Sequence, residues 1–395
     1  MLDINFIRQN KEIMKMAAQK KHVDLDVDKL IAIDDARREL LETIRSKQKD
    51  LQDTSKEKER LKETMEKWQI LMIEVPNIPD MSTPEGKTTK ENRVERNWGD
   101  VPQFTFTPRT YARLTKDHDM VDTYNGETFL KNSGAVLLMA LWQFVFDTMK
   151  GKEYMPVIAP SLVEKSAFIG IGSFPQKDED FYITQDGMFL AHSSEASVLS
   201  HHMDKTIVTG ELPKKYISFS HGFSRKNKKE DFVLEQIILS EANHMTSVSL
   251  HEEMTKDQEM IIQALGLPYR VVTYCGGLLG SKHVKKYSIE IYFPTSGKYR
   301  EVCSSSYSHD FQARRLNIKY VDKQKVTRFV HSLHGSIVTG EGILQGIIEN
   351  FQNEDGSIRI PKSLQKYVGV ESLVIWNKNT EEGIAIEKTD RDTII

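Results

Sequence analysis

The chain of 395 residues is long enough for two or more domains, and its 39% hydrophobic content suffices for a sizeable core. Its formal net charge of -3 excludes a global attraction to nucleic acid, so any such binding has to come from local patches. Two cysteines without a CxxC pair, Cys275 and Cys303, argue against a disulfide framework or a zinc finger and favour the cytoplasm. The polar start "MLDINFIRQNKE" and the interrupted apolar runs predict neither a signal peptide nor a membrane partner.

Residues 28 to 75 carry two series of apolar residues at helical spacing, separated near Asp53. The pattern Thr54-x-x-Glu57 that follows is typical of a capping box, in which a hydroxyl and a carboxylate satisfy free N–H groups at a helix start. The segment therefore predicts an antiparallel two-helix arm of roughly 30 Å, at about 1.5 Å rise per residue.

A polar segment with several prolines, "VPNIPDMSTPEGKTTKENR", follows the arm and is typical of a linker. We expect a helical domain over residues 1–100 and a second domain over residues 101–395. In the second domain, runs such as "MPVIAPSLV", "MFLAHSSE", "KYISFSHGFS", "VLEQIILSEANHM" and "SIEIYFP" predict strands, and residues 134–150, 252–265 and 342–351 predict helices. An α+β fold built on an antiparallel sheet fits this order best.

A resemblance to a known family rests on the arm and on several stretches of sequence: "MLDINFIRQN", "VPNIP", "LPKKYISFS", "KKYSIEIYFPTSGKYREV", "DFQARRLNIKY" and "IIENFQNEDGSIRIPKSLQKYVG". Over nearly its whole length the chain resembles the seryl-tRNA synthetases, which are class II aminoacyl-tRNA synthetases. The resemblance implies a six- or seven-stranded antiparallel catalytic sheet, a homodimer formed through the segment around Pro160 and an arm that reaches for serine tRNA. It also implies a reaction in which serine attacks ATP held by Mg²⁺ and then passes to the tRNA.

The resemblance assigns four residues to a serine-like pocket. Ser193 and Glu195 match the family's Thr-x-Glu, and Glu241 matches a second carboxylate that receives the serine ammonium. Ser336 matches a hydroxyl that contacts the substrate side chain. Carboxylates beside an ammonium are chemically sensible partners.

Two further residues match the family's nucleotide and metal site. Glu301 and Ser304 in "REVCSSS" offer the hard oxygen ligands that suit Mg²⁺. If the resemblance is set aside, Glu301 and Ser304 also fit a structural role, as a carboxylate at the end of a strand beside a polar turn.

The family's phosphate-binding arginines are replaced in this chain. Ser224 stands at the first motif 2 arginine, with Lys226 at the family's glutamate, and Val233 stands at the second motif 2 arginine. In motif 3, Glu341 and Gly342 stand where the family has Gly-Arg. Guanidinium groups supply the bidentate partners of a triphosphate, so these replacements remove the chemistry that ATP needs.

Other positions of the resemblance are also altered. Arg225 follows Ser224, but successive strand residues face opposite sides of a sheet, so Arg225 substitutes for the lost arginine only if a bulge re-aims it. Tyr307 and His334 stand at positions of family asparagines. The basic stretch "SKHVKK" predicts a surface loop rather than a nucleotide clamp.

These replacements favour a seryl-tRNA synthetase-like protein that has lost ATP-dependent serine activation, with no assigned catalytic residue and no certain cofactor. It would act by binding: as a homodimer, as a heterodimer with a true seryl-tRNA synthetase, to another protein or to tRNA. The arm is shorter than the family's tRNA-contacting arm and its turn has about equal numbers of acids and bases, so its contacts with tRNA phosphates are expected to be weak.

Two enzymatic alternatives remain open from the sequence. One is an active serine-tRNA ligase that uses ATP and Mg²⁺ with Arg225 re-aimed. The other is an ATP-dependent ligase that activates an amino acid for a carrier protein or a small molecule.

Overall fold

The computed structural model describes residues 2–50, 52–124, 127–173, 181–225, 229–339 and 341–375. The helices in these ranges are α1 Ile4–Gln9, α2 Lys11–Lys20, α3 Val27–Lys49, α4 Ser55–Glu74, α5 Tyr111–Asp117, α6 Asn132–Lys150, α7 Lys165–Ile171, α8 Ser194–Ser200, α9 His244–Ala264, α10 Phe311–Leu316, α11 Gly342–Asn350 and α12 Lys362–Val368. None of them is long and apolar enough to span a bilayer.

The strands in the same ranges are β1 Arg93–Trp98, β2 Val121–Tyr124, β3 Glu127–Leu130, β4 Met155–Ile158, β5 Leu162–Val163, β6 Phe189–Leu190, β7 Thr206–Ile207, β8 Lys214–Ser224, β9 Lys229–Ser240, β10 Tyr269–Thr273, β11 Lys285–Phe293, β12 Lys298–His309, β13 Lys319–Val321, β14 Thr327–Phe329, β15 His331–Thr339, β16 Ile358–Arg359 and β17 Ser372–Leu373.

One large sheet forms the centre of the molecule. Its strand order is β1-β10-β11-β12-β15-β9-β8-β4, and its neighbours run antiparallel except β4, which runs parallel to β8. The predicted α+β fold on a mainly antiparallel sheet is confirmed, with eight strands instead of the six or seven that the resemblance implied.

Helices pack on both faces of this sheet, as β9 illustrates. Leu234 and Ile238 enter an apolar cluster formed with α6, α9 and α11. Ile237 and Leu239 enter a second cluster formed with α7, α8 and α10. Because successive strand side chains alternate between faces, Glu235 lies on the side of α7, α8 and α10.

The predicted two-helix arm is confirmed as α3 and α4. Its helices are joined by the Arg37 guanidinium, 4.9 Å from the centre of the Trp68 ring, and by a 2.6 Å ion pair between Lys47 and Glu57. The predicted capping box is wrong, because Glu57 pairs with Lys47 and the Thr54 side chain makes no capping hydrogen bond.

The proposed division of the chain near residue 100 stays a prediction. The first residues of the chain and the arm share an apolar cluster of their own, which includes Ile7, Leu30 and Met72. β1 precedes the proposed boundary and nevertheless pairs with β10 at one edge of the large sheet. Lys226 and residues 376–395 lie outside the described residues.

Two predicted strands are wrong in part. In "MFLAHSSE" the strand ends at Leu190, and α8 begins at Ser194 because the Ser193 hydroxyl accepts a 3.1 Å hydrogen bond from the Glu195 N–H. In "VLEQIILSEANHM" the strand ends at Ser240, and α9 begins earlier than the predicted residue 252 because Asn243 caps it. Both errors come from side-chain caps within runs that resemble strands.

A buried carboxylate organises the base of the arm. Asp34 of α3 is fully buried and accepts hydrogen bonds from three arginines: Arg8 at 3.1 Å, Arg37 at 2.7 Å and Arg38 at 2.7 Å. The neighbouring Asp35 is exposed, and among the residues that the structure describes its ion pair is with Arg8.

We expect Asp34→Ala to lower the free energy of unfolding by about 3 kcal/mol, because it leaves three guanidinium groups without their shared partner. Asp35→Ala is the matched control and should cost less than about 1 kcal/mol, since its ion pair is exposed. Urea denaturation measures the free energy of unfolding of both variants. Hydrogen exchange of the α1 and α3 amides in the folded proteins shows whether the loss is at the base of the arm. Equal losses in the two variants would contradict this account.

Candidate functional site

A polar row crosses the large sheet on the side of α7, α8 and α10. Ser304 of β12 pairs with Ser336 of β15, which in turn pairs with Glu235 of β9. Directly opposed residues of antiparallel strands point to the same face. The structure therefore brings the predicted residues Ser304 and Ser336 together around Glu235. We call this face, together with Glu195 at the start of α8, the cleft.

Glu235 is buried at the centre of the cleft, and its hydrogen bonds are supplied from within the chain. It accepts from the Ser193 hydroxyl at 2.9 Å, from the Ser194 N–H at 2.7 Å and hydroxyl at 2.6 Å, and from His334 Nε2 at 3.1 Å. Burial by itself would raise the pKa of Glu235. The His334 charge and the hydrogen bonds from His334 and Ser194 together have the larger effect, so the pKa lies below its ordinary value. Ser193, predicted to contact a ligand, thus serves an internal carboxylate.

Glu195 is the second buried carboxylate of the cleft. One oxygen forms an ion pair with the Lys282 ammonium, and the other accepts a 2.9 Å hydrogen bond from Gln312 Nε2. Burial raises the pKa of Glu195, but the Lys282 charge, the His334 charge and the hydrogen bonds from Lys282 and Gln312 together outweigh burial and bring the pKa to about 2. The predicted ammonium-binding carboxylate already holds an ammonium from its own chain.

The predicted surface loop "SKHVKK" is wrong at Lys282, whose side chain is only 15% exposed because its ammonium reaches into the cleft. Sequence reasoning missed Lys282, Gln312 and Glu235 as members of the site. A carboxylate within the apolar run of β9 was a signal for Glu235. Nothing in the sequence near Lys282 indicates its partner, which lies 87 positions away.

The predicted metal ligand Glu301 is also engaged within the chain. It accepts a hydrogen bond from the Tyr274 hydroxyl, and its other oxygen lies 3.4 Å from Lys286 Nζ. Among the described residues there is no group of three or more His, Cys, Asp or Glu side chains that could hold a metal ion. The Lys286 ammonium offsets part of the negative charge that Mg²⁺ would require, and the magnesium role of Glu301 and Ser304 stays a prediction.

The start of α11 carries a carboxylate where the resemblance places a nucleotide. Glu341 precedes the helix, and its Oε2 accepts a 3.1 Å hydrogen bond from the Tyr111 hydroxyl. Burial, and then the Glu341 charge, raise the pKa of Tyr111. Gly342 follows and packs near Val302. The free N–H groups of this helix end favour anions, but the Glu341 charge opposes them.

One guanidinium, that of Arg225, lies beside the motif 2 positions where arginines are replaced, and its role as a substitute stays a prediction. β8 and β9 pair in regular register from Lys214 to Ser224, without the bulge that would re-aim Arg225. The Arg225 guanidinium instead donates to the Phe181 carbonyl at 3.3 Å. Val233 is buried, and Lys226 lies outside the described residues.

Two predicted positions lie away from this arrangement. Glu241 follows the end of β9, about 20 Å along the strand direction from Glu235, and its carbonyl accepts a 2.8 Å hydrogen bond from the Asn243 N–H. Tyr307 is buried in the cluster with α9, on the opposite face of the sheet, and its hydroxyl donates to Asp80 at 2.9 Å. His334, in contrast, lies in the cleft on Glu235.

Two family models match the chain. Residues 1–91 match the seryl-tRNA synthetase N-terminal domain, and residues 233–351 match the class II core domain of tRNA synthetases for G, H, P, S and T. Among curated relatives, the "Serine--tRNA ligase" of Carboxydothermus hydrogenoformans is 31% identical over 94% of this chain and 99% of its own length. That of Acetivibrio thermocellus is 33% identical over 95% of this chain and 100% of its own length.

Solved structures give the same picture. Seryl-tRNA synthetase from Pyrococcus horikoshii, solved with ATP, is 27% identical and superimposes with a TM-score of 0.88 over 95% of this chain and 100% of its own. The cytoplasmic serine-tRNA ligase of Naegleria fowleri, solved with AMP, is 24% identical with a TM-score of 0.86 over 95% of this chain and 99% of its own, a likeness of fold. The resemblance drawn from the sequence is confirmed, whereas the predicted loss of activity stays a prediction.

The pKa of Glu195 leads to a pH dependence that can be measured. A carboxyl whose folded pKa of about 2 lies below its ordinary value of 4.5 contributes stability above that value and loses it as the pH falls toward 2. We expect the free energy of unfolding to fall more between about pH 5 and about pH 3 in the wild type than in Glu195→Gln. Urea denaturation at both pH values measures this, with Glu211→Gln, an exposed carboxyl, as control. Equal pH dependence in wild type and Glu195→Gln would refute the assignment.

Proposed function

This chain belongs to the seryl-tRNA synthetase family, and we propose that it is a member that binds a macromolecular partner without activating serine through ATP. The observation that carries this proposal is at the start of α11, where Glu341 and Gly342 replace the Gly-Arg of the family. A carboxylate about 4 Å from a phosphate charge makes the binding of that phosphate less favourable by about 1 kcal/mol in water and by about 4 kcal/mol near a protein surface.

The remaining nucleotide contacts support the same proposal. Ser224 and Val233 offer no charge to a triphosphate, and the Arg225 guanidinium donates to a backbone carbonyl. Glu301 has the Lys286 ammonium beside it, where the family binds Mg²⁺. ATP and Mg²⁺ would thus both lose their principal partners in this cleft.

A second candidate is an active serine-tRNA ligase that uses ATP and Mg²⁺. It is favoured by relatives at 31% and 33% identity over nearly the whole chain, which carry the name "Serine--tRNA ligase", and by the likeness to a seryl-tRNA synthetase solved with ATP. In this chain it would require Arg225, whose guanidinium donates one hydrogen bond to the Phe181 carbonyl, to turn its other donors to the triphosphate.

Serine-dependent exchange of pyrophosphate into ATP separates the two candidates. We expect the purified protein to show no exchange above a blank without enzyme, because the triphosphate lacks cationic partners. The protein from Acetivibrio thermocellus serves as the positive control. Sustained exchange that Arg225→Ala abolishes would establish the second candidate instead.

Reversal of the charge at the start of α11 tests whether Glu341 and Gly342 prevent ATP from binding. In Glu341→Gly/Gly342→Arg the Cβ of the new side chain has room, since it would lie 3.4 Å from Val302 Cγ1, an ordinary contact. We expect this variant to bind MgATP about tenfold more tightly than the wild type, as measured by calorimetry. Gln345→Arg, one turn along the same helix, is the matched control. The proposal fails if wild type and double variant bind MgATP equally well.

We also propose a homodimer through the edge of the large sheet at β4. β4 pairs only with β8 among the described strands, and it precedes Pro160. Its residues Met155 and Ile158 are exposed, as is Met139 on the neighbouring α6. An exposed apolar edge strand of this kind is typical of an interaction surface. A heterodimer with a true seryl-tRNA synthetase would use the same edge.

We expect Ile158→Asp to weaken the dimer at least about tenfold, because it would bury a charge at the interface. Sedimentation equilibrium measures the change in dissociation constant. Met81→Asp, which also replaces an exposed apolar side chain but lies in the linker, should leave it unchanged. If Ile158→Asp also leaves it unchanged, β4 is not the interface.

The arm supports only a weak tRNA contact. α3 and α4 have 23 and 20 residues. Near the turn between them, the charge of the Lys47 ammonium is neutralised by an ion pair with Glu57. Protein partners therefore come first in this proposal. We place the protein in the cytoplasm, a location that suits two buried free thiols, Cys275 and Cys303.

A further inference from the structure

We propose that the Lys282 side chain is a built-in ligand that fills the ammonium site at Glu195, and that its removal opens this site to small primary ammonium ions, serine included. The inference rests on the proposed function, under which Glu195 does not receive serine as a substrate. It assigns Lys282 the role of the residue that determines which ligands the cleft rejects.

The contacts of Glu195 use one acceptor position on each of its two carboxylate oxygens. One carboxylate oxygen holds Lys282, and the other holds the Gln312 side-chain amide at 2.9 Å. The Gln312 amide is itself oriented, because its oxygen accepts a 2.6 Å hydrogen bond from the Ser332 hydroxyl. Glu195 is 2% exposed, so a ligand from solvent does not reach its remaining lone pairs while Lys282 is in place. A ligand ammonium could bind here only by displacing Lys282.

The N-terminal part of the chain holds the backbone that delivers Lys282. The buried Lys21 ammonium donates to three carbonyl oxygens of this loop, those of Gly280 at 3.2 Å, Ser281 at 3.0 Å and His283 at 2.6 Å. Asn77 adds a 2.9 Å hydrogen bond from Nδ2 to the Lys282 carbonyl and a 2.7 Å bond from its N–H to the Ser281 carbonyl. A tethered ammonium with a fixed backbone has a high effective concentration at its site and outcompetes a free one.

The opposite wall of the cleft is shaped for the Lys282 stem. Gly172, with φ +84°, ends α7, and a Cβ at this position would lie 3.3 Å from the Lys282 Cβ and 3.1 Å from the Phe311 ring. The Ser281 hydroxyl donates to the Gly172 carbonyl at 3.3 Å and joins the loop to this wall. Truncation of Lys282 would therefore leave a narrow space that ends on a buried carboxylate, a shape suited to a short primary ammonium.

The experiment compares the wild type with Lys282→Ala. Both proteins are titrated with ethylammonium chloride and with L-serine, and binding is followed by calorimetry and by the shift in Tm. Tetramethylammonium chloride, a cation that cannot donate a hydrogen bond, controls for ionic strength. Lys285→Ala is the matched control variant, because Lys285 belongs to the same segment but lies over the Tyr287 ring.

We expect Lys282→Ala to have a lower Tm than the wild type and to regain about 2–4 °C in saturating ethylammonium or serine. The wild type and Lys285→Ala should gain nothing beyond the tetramethylammonium effect. The inference is overturned if Lys282→Ala binds neither ligand, or if the wild type binds serine as tightly as Lys282→Ala does. A failure of the proposed function would be seen in a different experiment, because the wild type would then exchange pyrophosphate into ATP.

A measurement on the wild type keeps the inference open to refutation if Lys282→Ala does not fold. Reductive methylation with formaldehyde and a borohydride, followed by peptide mass spectrometry, reports how accessible each ammonium is. We expect Lys282 to be labelled much more slowly than Lys298, which is exposed on β12. Labelling of the two at the same rate would show that Lys282 does not stay on Glu195.

Discussion

The ion pair between Glu195 and Lys282 is the contact on which the cleft depends. A carboxylate taken out of water costs several kcal/mol unless a cation and hydrogen bonds replace the lost hydration. α8 places Glu195 under the sheet, and Gln312 of α10 can offer only a neutral donor. Lys282 therefore has to enter the cleft, and its loop has to be held in place by Lys21 and Asn77. In this way the N-terminal part of the chain becomes a structural support of the cleft.

The same logic extends across the site, where internal groups satisfy carboxylates that could otherwise have served ligands. Glu301 has Lys286 and Tyr274, Glu235 has His334 and two serines, and Glu341 has Tyr111. Each contact gives one of these carboxylates a partner within the chain, which matters most for the buried Glu235. An active site usually keeps some such groups unsatisfied for its substrates, and under the proposed function this balance of stability against activity is shifted toward stability.

The sequence predicted much of the fold because local patterns carry it. Helical spacing located α3 and α4, and the match to family motifs singled out Ser304, Ser336 and Glu195, which the structure brings to one face of the sheet. What it missed depends on contacts between distant residues. The partner of Lys282 lies in α8, and the partner of Glu57 is Lys47 rather than its own helix start. Burial of Glu235 likewise follows from the β8-β9-β15 order, which no single stretch reveals.

A crystal structure of the protein soaked with a non-hydrolysable analogue of seryl-adenylate tests the central claim most directly, because the analogue offers an ammonium to Glu195 and a phosphate-like group to the start of α11. The account predicts that the cleft contains no analogue and that the Lys282 ammonium remains on Glu195. Density for the analogue, with its ammonium on Glu195 and Lys282 turned out to solvent, would contradict it.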